Sequence, residues 1–232
     1  MKETIVFVHG MCHGAWCWEE KFIPYFKNLG FNCISFNLPG HETEGSTQRI
    51  SYSLNDYVQA LRSVVENLEE PPIIVGHSMG GMILQKFLQT ESCKKAILMS
   101  SVPPSGVLAA SLRVISSYPG LIPYLVRRDL VGAFKKYPHL MLNKAILTAR
   151  YAHRMCAESF RAYLGLLVPI AHSSSTPILV IGGSKDGLIT VREFTSTANY
   201  YKAKLTIIEG GSHDLMLDED YEKSAQAIVN WI

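Results

Sequence analysis

The sequence predicts an α/β protein: a mostly parallel six-stranded sheet flanked by helices, with an inserted helical cap. Three observations predict it. Short apolar runs alternate along the chain with amphipathic stretches of helical spacing. The alternation breaks once, between Val102 and about Ser175, where no strand-like run occurs. Three Gly-rich turns, starting at Gly76, Gly182 and Gly210, follow three of the apolar runs almost directly.

Taken in order, Thr4 to His9 is apolar and extended, Trp16 to Leu29 reads as an amphipathic helix, and Phe31 to Asn37 is extended again. Leu54 to Leu68 has apolar residues at helical spacing, with Ser53 placed to cap its first turn. Ile73 to Gly76 is the next strand, followed by a helix from Ser78, and Lys95 to Ser100 is a strand. Pro177 to Ile181 and Leu205 to Ile208 bring the strands to six, with Val191 to Tyr200 and Tyr221 to Trp231 as the last helices. Parallel strands with helical crossovers are covered on both faces, so functional residues belong on loops at the carboxyl ends of the strands. The cap, approximately residues 103–175, is a series of short helical stretches interrupted by Pro103, Pro104, Pro119, Pro123, Pro138 and Pro169. The expected organisation is therefore a single domain, 1–232, carrying one insertion.

Composition narrows the function classes. The 22 basic and 20 acidic residues nearly cancel, which argues against a protein that binds nucleic acid through phosphate contacts. The balance is uneven along the chain. The cap holds nine basic residues (Arg113, Arg127, Arg128, Lys135, Lys136, Lys144, Arg150, Arg154, Arg161) against two acidic ones, Asp129 and Glu158. Such a cap either docks on an oppositely charged body or attracts anionic substrates or membrane headgroups, the latter as a peripheral membrane contact. No apolar run approaches the roughly 18 residues of a membrane span. The amino terminus enters a strand at once with no signal-peptide cleavage pattern, so a cytoplasmic location is expected. The five cysteines (Cys12, Cys17, Cys33, Cys93, Cys156) are odd in number and lack metal-ligand spacing, so they read as reduced thiols, with Cys12 a small buried apolar residue, and no metal site is expected.

The chemistry lies in the Gly-rich turns. Gly76-His77-Ser78-Met79-Gly80 joins a strand to a helix, and such a corner holds a serine hydroxyl out above the sheet while the flanking glycines let the turn close. A serine hydroxyl is a weak nucleophile at neutral pH, so it needs a base in reach and the base needs an orienting acid. Asp186 and His213 stand after later strands, on the same sheet edge as Ser78. His213 would take the serine proton and Asp186 would fix its tautomer, with Asp214 and Asp218 as fallback acids too close to His213 to come from a separate strand end. Charge developing on a carbonyl oxygen requires preorganised donors. The backbone amides of Met79, at a helix start, and of Met11, in the loop His9-Gly10-Met11-Cys12-His13-Gly14, are the candidates for an oxyanion hole.

On these residues the chain resembles the α/β-hydrolase superfamily, and in particular its serine carboxylesterases. His9-Gly10-Met11-Cys12-His13-Gly14-Ala15-Trp16-Cys17-Trp18 is similar to the opening motif of the plant methylesterase and hydroxynitrile lyase branch. Leu38-Pro39-Gly40-His41 and Gly76-His77-Ser78-Met79-Gly80-Gly81 look more like bacterial carboxylesterases and monoglyceride-lipase-like enzymes. The resemblance implies ester cleavage through an acyl-enzyme, without a cofactor, on a small to medium carboxylic ester. It leaves open acyl transfer or thioester cleavage by the same triad, and a small-molecule receptor built on the same fold. Hydroxynitrile lyases typically place a lysine after the catalytic histidine, where this chain has Asp214, and the halide- and epoxide-processing relatives use an aspartate in place of Ser78.

Of the remaining residues singled out, His9 is expected to support the oxyanion loop, His41 to stabilise a loop, and Trp16 and Trp18 to anchor the core. Leu121, Leu125, Phe134, Leu140 and Met141 are among cap residues expected to pack on the body or wall an acyl pocket.

Overall fold

The computed structural model describes residues 3–142, 149–171 and 174–232. Its sheet comprises β1 (Thr4–Val8), β2 (Asn32–Ser35), β3 (Ile73–His77), β4 (Lys95–Met99), β5 (Ile178–Gly183) and β6 (Lys204–Ile208), in the order β2-β1-β3-β4-β5-β6. All neighbouring pairs are parallel. Alternate side chains divide between the two faces, as strand geometry requires. Ile5 and Phe7 pack with Trp18, Phe22 and Phe26 on one side, while Val6 and Val8 pack with Leu54, Leu61 and Ile83 on the other. The chain reverses its direction of travel across the sheet between β1 and β3, where Val8 stands beside Gly76. The loop after β1 and the turn after β3 therefore leave the sheet side by side, at a topological switch point.

The helices show what the local sequence allows. The stretch from Trp16 to Leu29 is two helices rather than one, α1 (Trp16–Glu19) and α2 (Phe22–Asn28). Pro24 is the reason: its ring would meet the carbonyl of Glu20 in a continuous helix, and it has no N–H to donate. α3 (Leu54–Glu66) begins with a reciprocal cap in which Ser53 Oγ accepts from the Asp56 amide and Asp56 accepts from the Ser53 amide. α4 (Met79–Phe87) is buried along almost its whole length.

Between β4 and β5 run α5 (Leu108–Ser117), α6 (Ile122–Arg127), α7 (Leu130–Lys136) and α8 (Phe160–Gly165), with 3-10 turns at Pro119–Leu121 and Pro138–Leu140. No strand occurs here among the described residues. Pro119, Pro123 and Pro138 sit in the first turns of their helices, the place where a missing N–H costs least. Three of the arginines in this segment bind acids outside it: Arg113 to Glu193, Arg150 to Glu20 and Arg154 to Glu44, at 3.1, 2.6 and 2.7 Å. Lys144 lies outside the described residues. The chain closes with α9 (Val191–Tyr201) and α10 (Tyr221–Val229). Among the described residues no helix is long and apolar enough to cross a membrane. All five cysteines are unpaired, and Cys12 is fully buried.

Candidate active site

Ser78 is the corner between β3 and α4, with φ 52° and ψ −114°, a left-handed conformation that an L-residue adopts only when its surroundings enforce it. The surroundings do so through glycine. A Cβ on Gly80 would overlap the Val8 carbonyl, and one on Gly76 would overlap the Gly80 carbonyl. The hydroxyl is thereby fixed above the sheet, 3.0 Å from His213 Nε2. His213 Nδ1 donates to Asp186 Oδ2 at 2.8 Å. The other oxygen, Asp186 Oδ1, accepts the amides of Leu188 and Ile189, both at 2.8 Å, so the carboxylate cannot rotate away. Both His213 and Asp186 side chains are almost wholly buried. Burial works to lower the His213 pKa, but the charge and hydrogen bond of Asp186 outweigh it and hold the pKa above the ordinary 6.5.

Met11 and Met79 both line the cavity at Ser78, and among the described residues neither N–H has a protein acceptor. The Met79 amide also carries the partial positive charge of the α4 start. The aim of the Met11 amide follows from its own peptide unit. The Gly10 carbonyl accepts from His9 Nδ1–H at 2.9 Å and from the His13 amide at 3.3 Å, which turns the Met11 N–H the opposite way. His9 Nε2 accepts the Leu38 amide at 3.0 Å, so the ring is neutral with its proton on Nδ1. Burial, with His41 nearby, holds the His9 pKa well below the ordinary value. Only glycine fits at position 10, since a Cβ there would press on the His77 ring and the Ser78 side chain.

The other histidines stand around this core. His77 Nε2–H donates to the His213 carbonyl at 3.1 Å, tying the serine corner to the histidine loop. Burial, followed by repulsion from His213, pushes its pKa down to about 3, so it stays neutral. His41 is bound to Glu158 at 3.2 Å. Asp214 binds His13 at 3.3 Å, and Asp218 accepts the Ser212 amide and hydroxyl at 2.8 and 2.6 Å, so neither fallback acid is on His213 Nδ1. Sequence reasoning missed one participant. Glu158, weighed only as a countercharge, is buried and accepts from Tyr57, Ser159 and Cys12 at 2.9, 2.7 and 3.2 Å. An isolated acid in a basic, apolar segment was the available signal.

Above Ser78 lies a cavity of about 120 Å³ whose walls are overwhelmingly apolar. Val107, Val114, Leu121, Leu125, Phe134 and Leu140, all from the β4–β5 segment, form much of it. Met11 and Met79 complete the floor beside Ser78 and His213. Among the described residues no Lys, Arg, Asp or Glu lines it.

A parallel sheet that delivers a serine, a histidine and an aspartate to one edge, the serine at a strand-to-helix corner, is the scaffold of an α/β hydrolase. The chain belongs to the alpha/beta hydrolase family, whose sequence model matches residues 5–227. It is 35% identical over 155 residues to Methylesterase 9 of Arabidopsis thaliana, covering 65% of this chain and 59% of that one. It is 26% identical over 231 residues to the pFDCC methylesterase MES16 of the same plant, covering 90% and 86%. With Salicylic acid-binding protein 2 of Nicotiana tabacum the identity is 32% over 124 residues, covering 51% and 47%. Two of these three matches thus span less than two thirds of the relative's length. Among solved structures, polyneuridine aldehyde esterase superposes with a TM-score of 0.71 over 99% of this chain and 100% of that one, at 20% identity. An esterase from Exiguobacterium antarcticum gives 0.77 over 99% and 91%, at 16% identity. At these identities the two structures speak for the fold alone.

Proposed function

We propose that the protein is a serine carboxylesterase, with Ser78, Asp186 and His213 as its catalytic residues and the Met11 and Met79 amides as its oxyanion hole. The unbroken line Ser78 Oγ, His213 Nε2, His213 Nδ1, Asp186 Oδ2 is the observation that carries this reading. In the reaction, Ser78 Oγ attacks the ester carbonyl carbon while His213 Nε2 takes the hydroxyl proton. The carbonyl oxygen becomes an oxyanion between the two amides. Collapse expels the alcohol, which leaves with the proton from Nε2. Water, deprotonated by the same nitrogen, then attacks the acyl-enzyme and releases the acid. The residues between β4 and β5 act as a cap that walls the acyl site, and five unpaired thiols fit a reducing, cytoplasmic setting.

The apolar lining of the cavity favours a neutral, apolar acyl group, because a carboxylate or ammonium inside it would meet no countercharge among the described residues. At about 120 Å³ it is slightly smaller than the ~150 Å³ that holds benzene, so it takes an acyl chain of roughly four to six carbons. Across p-nitrophenyl esters, kcat/KM is expected to rise about fourfold per added methylene until the cavity is full, then fall. A flat profile, or a preference for charged acyl groups that disappears with salt, would contradict this.

The surface of the cap supports a further contact, with anionic lipid headgroups. Val126, 77% exposed, precedes the exposed Arg127 and Arg128, and Leu108, Leu112, Leu164 and Val168 are exposed on neighbouring elements. Sedimentation with phosphatidylserine vesicles but not with phosphatidylcholine vesicles is the expected result, and equal recovery with both refutes the contact.

A further inference from the structure

We propose that His13, paired with Asp214, is a positioning residue that sets the aim of the oxyanion hole. The proposal builds on the esterase reading above. It starts from two buried side chains that the mechanism leaves unused. His13 and Asp214 are both 1% exposed, and His13 Nε2 lies 3.3 Å from Asp214 Oδ2. His13 Nδ1 lies 2.8 Å from the Met11 carbonyl oxygen. A carbonyl can only accept, so His13 Nδ1 carries a proton and donates it to Met11, while Nε2 faces the Asp214 carboxylate. Burial favours the protonated acid, yet the charge and hydrogen bond of His13 hold the Asp214 pKa below the usual carboxylate value.

The geometry shows what this pair does. Met11 lies between two peptide units, and both are held. The first, Gly10–Met11, is pinned at its carbonyl by His9 and by the His13 amide. The second, Met11–Cys12, is pinned at its carbonyl by the His13 ring and at its N–H by Glu158, 3.2 Å away. Fixing the planes on both sides of Met11 fixes its backbone angles, and with them the direction of its free N–H. Cys12, at φ 62°, holds a conformation that the loop would leave if these bonds were lost. Asp214 adds a second link. It is the residue after His213, so the pairing ties the loop bearing one oxyanion donor to the loop bearing the base. The Trp16 ring stacked on His13 at 5.2 Å closes off the alternative rotamers.

The test uses Asp214→Asn, His13→Ala and the double variant, each titrated with a fluorophosphonate so that rates are expressed per reactive serine. Asp214→Asn keeps the shape but removes the charge, and kcat is expected to fall about tenfold with KM within twofold. His13→Ala is expected to lose about 10- to 100-fold in kcat, and adding Asp214→Asn to it changes little further, because the carboxylate acts through His13. Affinity for a trifluoromethyl ketone, which forms the oxyanion, falls in parallel with kcat, while affinity for the product carboxylic acid holds. Unchanged kcat per labelled serine in Asp214→Asn, or losses that multiply in the double variant, would overturn the proposal. If His13→Ala does not fold, the kcat and ketone affinities of Asp214→Asn decide alone. Failure of the parent protein to take the fluorophosphonate would instead defeat the esterase reading.

Discussion

Replacing Ser78 with alanine is expected to lower kcat on a p-nitrophenyl ester on the order of 10⁶-fold while leaving the fold intact. Among the described residues the hydroxyl has one side-chain partner, His213, so its loss leaves no other buried group there stranded. Alanine keeps the Cβ that serine already carries, so the strain of φ 52° at the corner is the same in both proteins. The Met11 and Met79 amides and the cavity survive, which predicts that substrate still binds and that KM changes little. Kinetics on protein with an unchanged circular dichroism spectrum make the measurement. Retained turnover, or retained labelling by a fluorophosphonate, rules out Ser78 as nucleophile.

The second large effect is expected from Asp186→Asn, which removes charge without changing shape. The carboxylate accepts the proton on His213 Nδ1, so Nε2 is left free to take the serine proton. An asparagine amide donating to Nδ1 would select the opposite tautomer, with a proton on Nε2 facing Ser78, and a loss on the order of 10⁴ in kcat follows. Asp214 offers no relief, because it is engaged with His13. The pH profile carries the same information with a definite sign. His213 works as a base only when neutral, and Asp186 raises its pKa, so the rising limb of kcat/KM should have its midpoint above the ordinary 6.5. Without Asp186, burial, the largest influence and one that opposes the charged form, is countered only by the charge of Asp214. The limb of the variant should therefore move to lower pH, and a limb that stays in place would show that Asp186 does not govern the titration.

What could be read from the chain follows from how far each determinant reaches. Strand runs such as Ile73–His77 and turns such as Gly76-His77-Ser78-Met79-Gly80 are local, and parallel pairing then carries the ends of β3, β5 and β6 to one edge. The relative placement of Ser78, Asp186 and His213 was legible for that reason. The break between α1 and α2 was also written locally, in Pro24, but the amphipathic spacing of Trp16 to Leu29 masked it. The contacts of Glu158 were not legible. Its partner Cys12 is 146 positions away, and no periodicity announces which acid of a basic segment will be buried. The same holds for His13 and Asp214, whose pairing depends on where two loops from opposite ends of the chain settle.

The segment between β4 and β5 begins and ends on neighbouring strands, as an exchangeable module would. Glu158 makes this one hard to transplant. A graft lacking it would strand the Cys12 amide and the Tyr57 hydroxyl without their acceptor, at about 1–3 kcal/mol for each buried donor left unsatisfied. Successful chimeras should therefore carry the opening loop and α3 together with the insertion that was shaped against them.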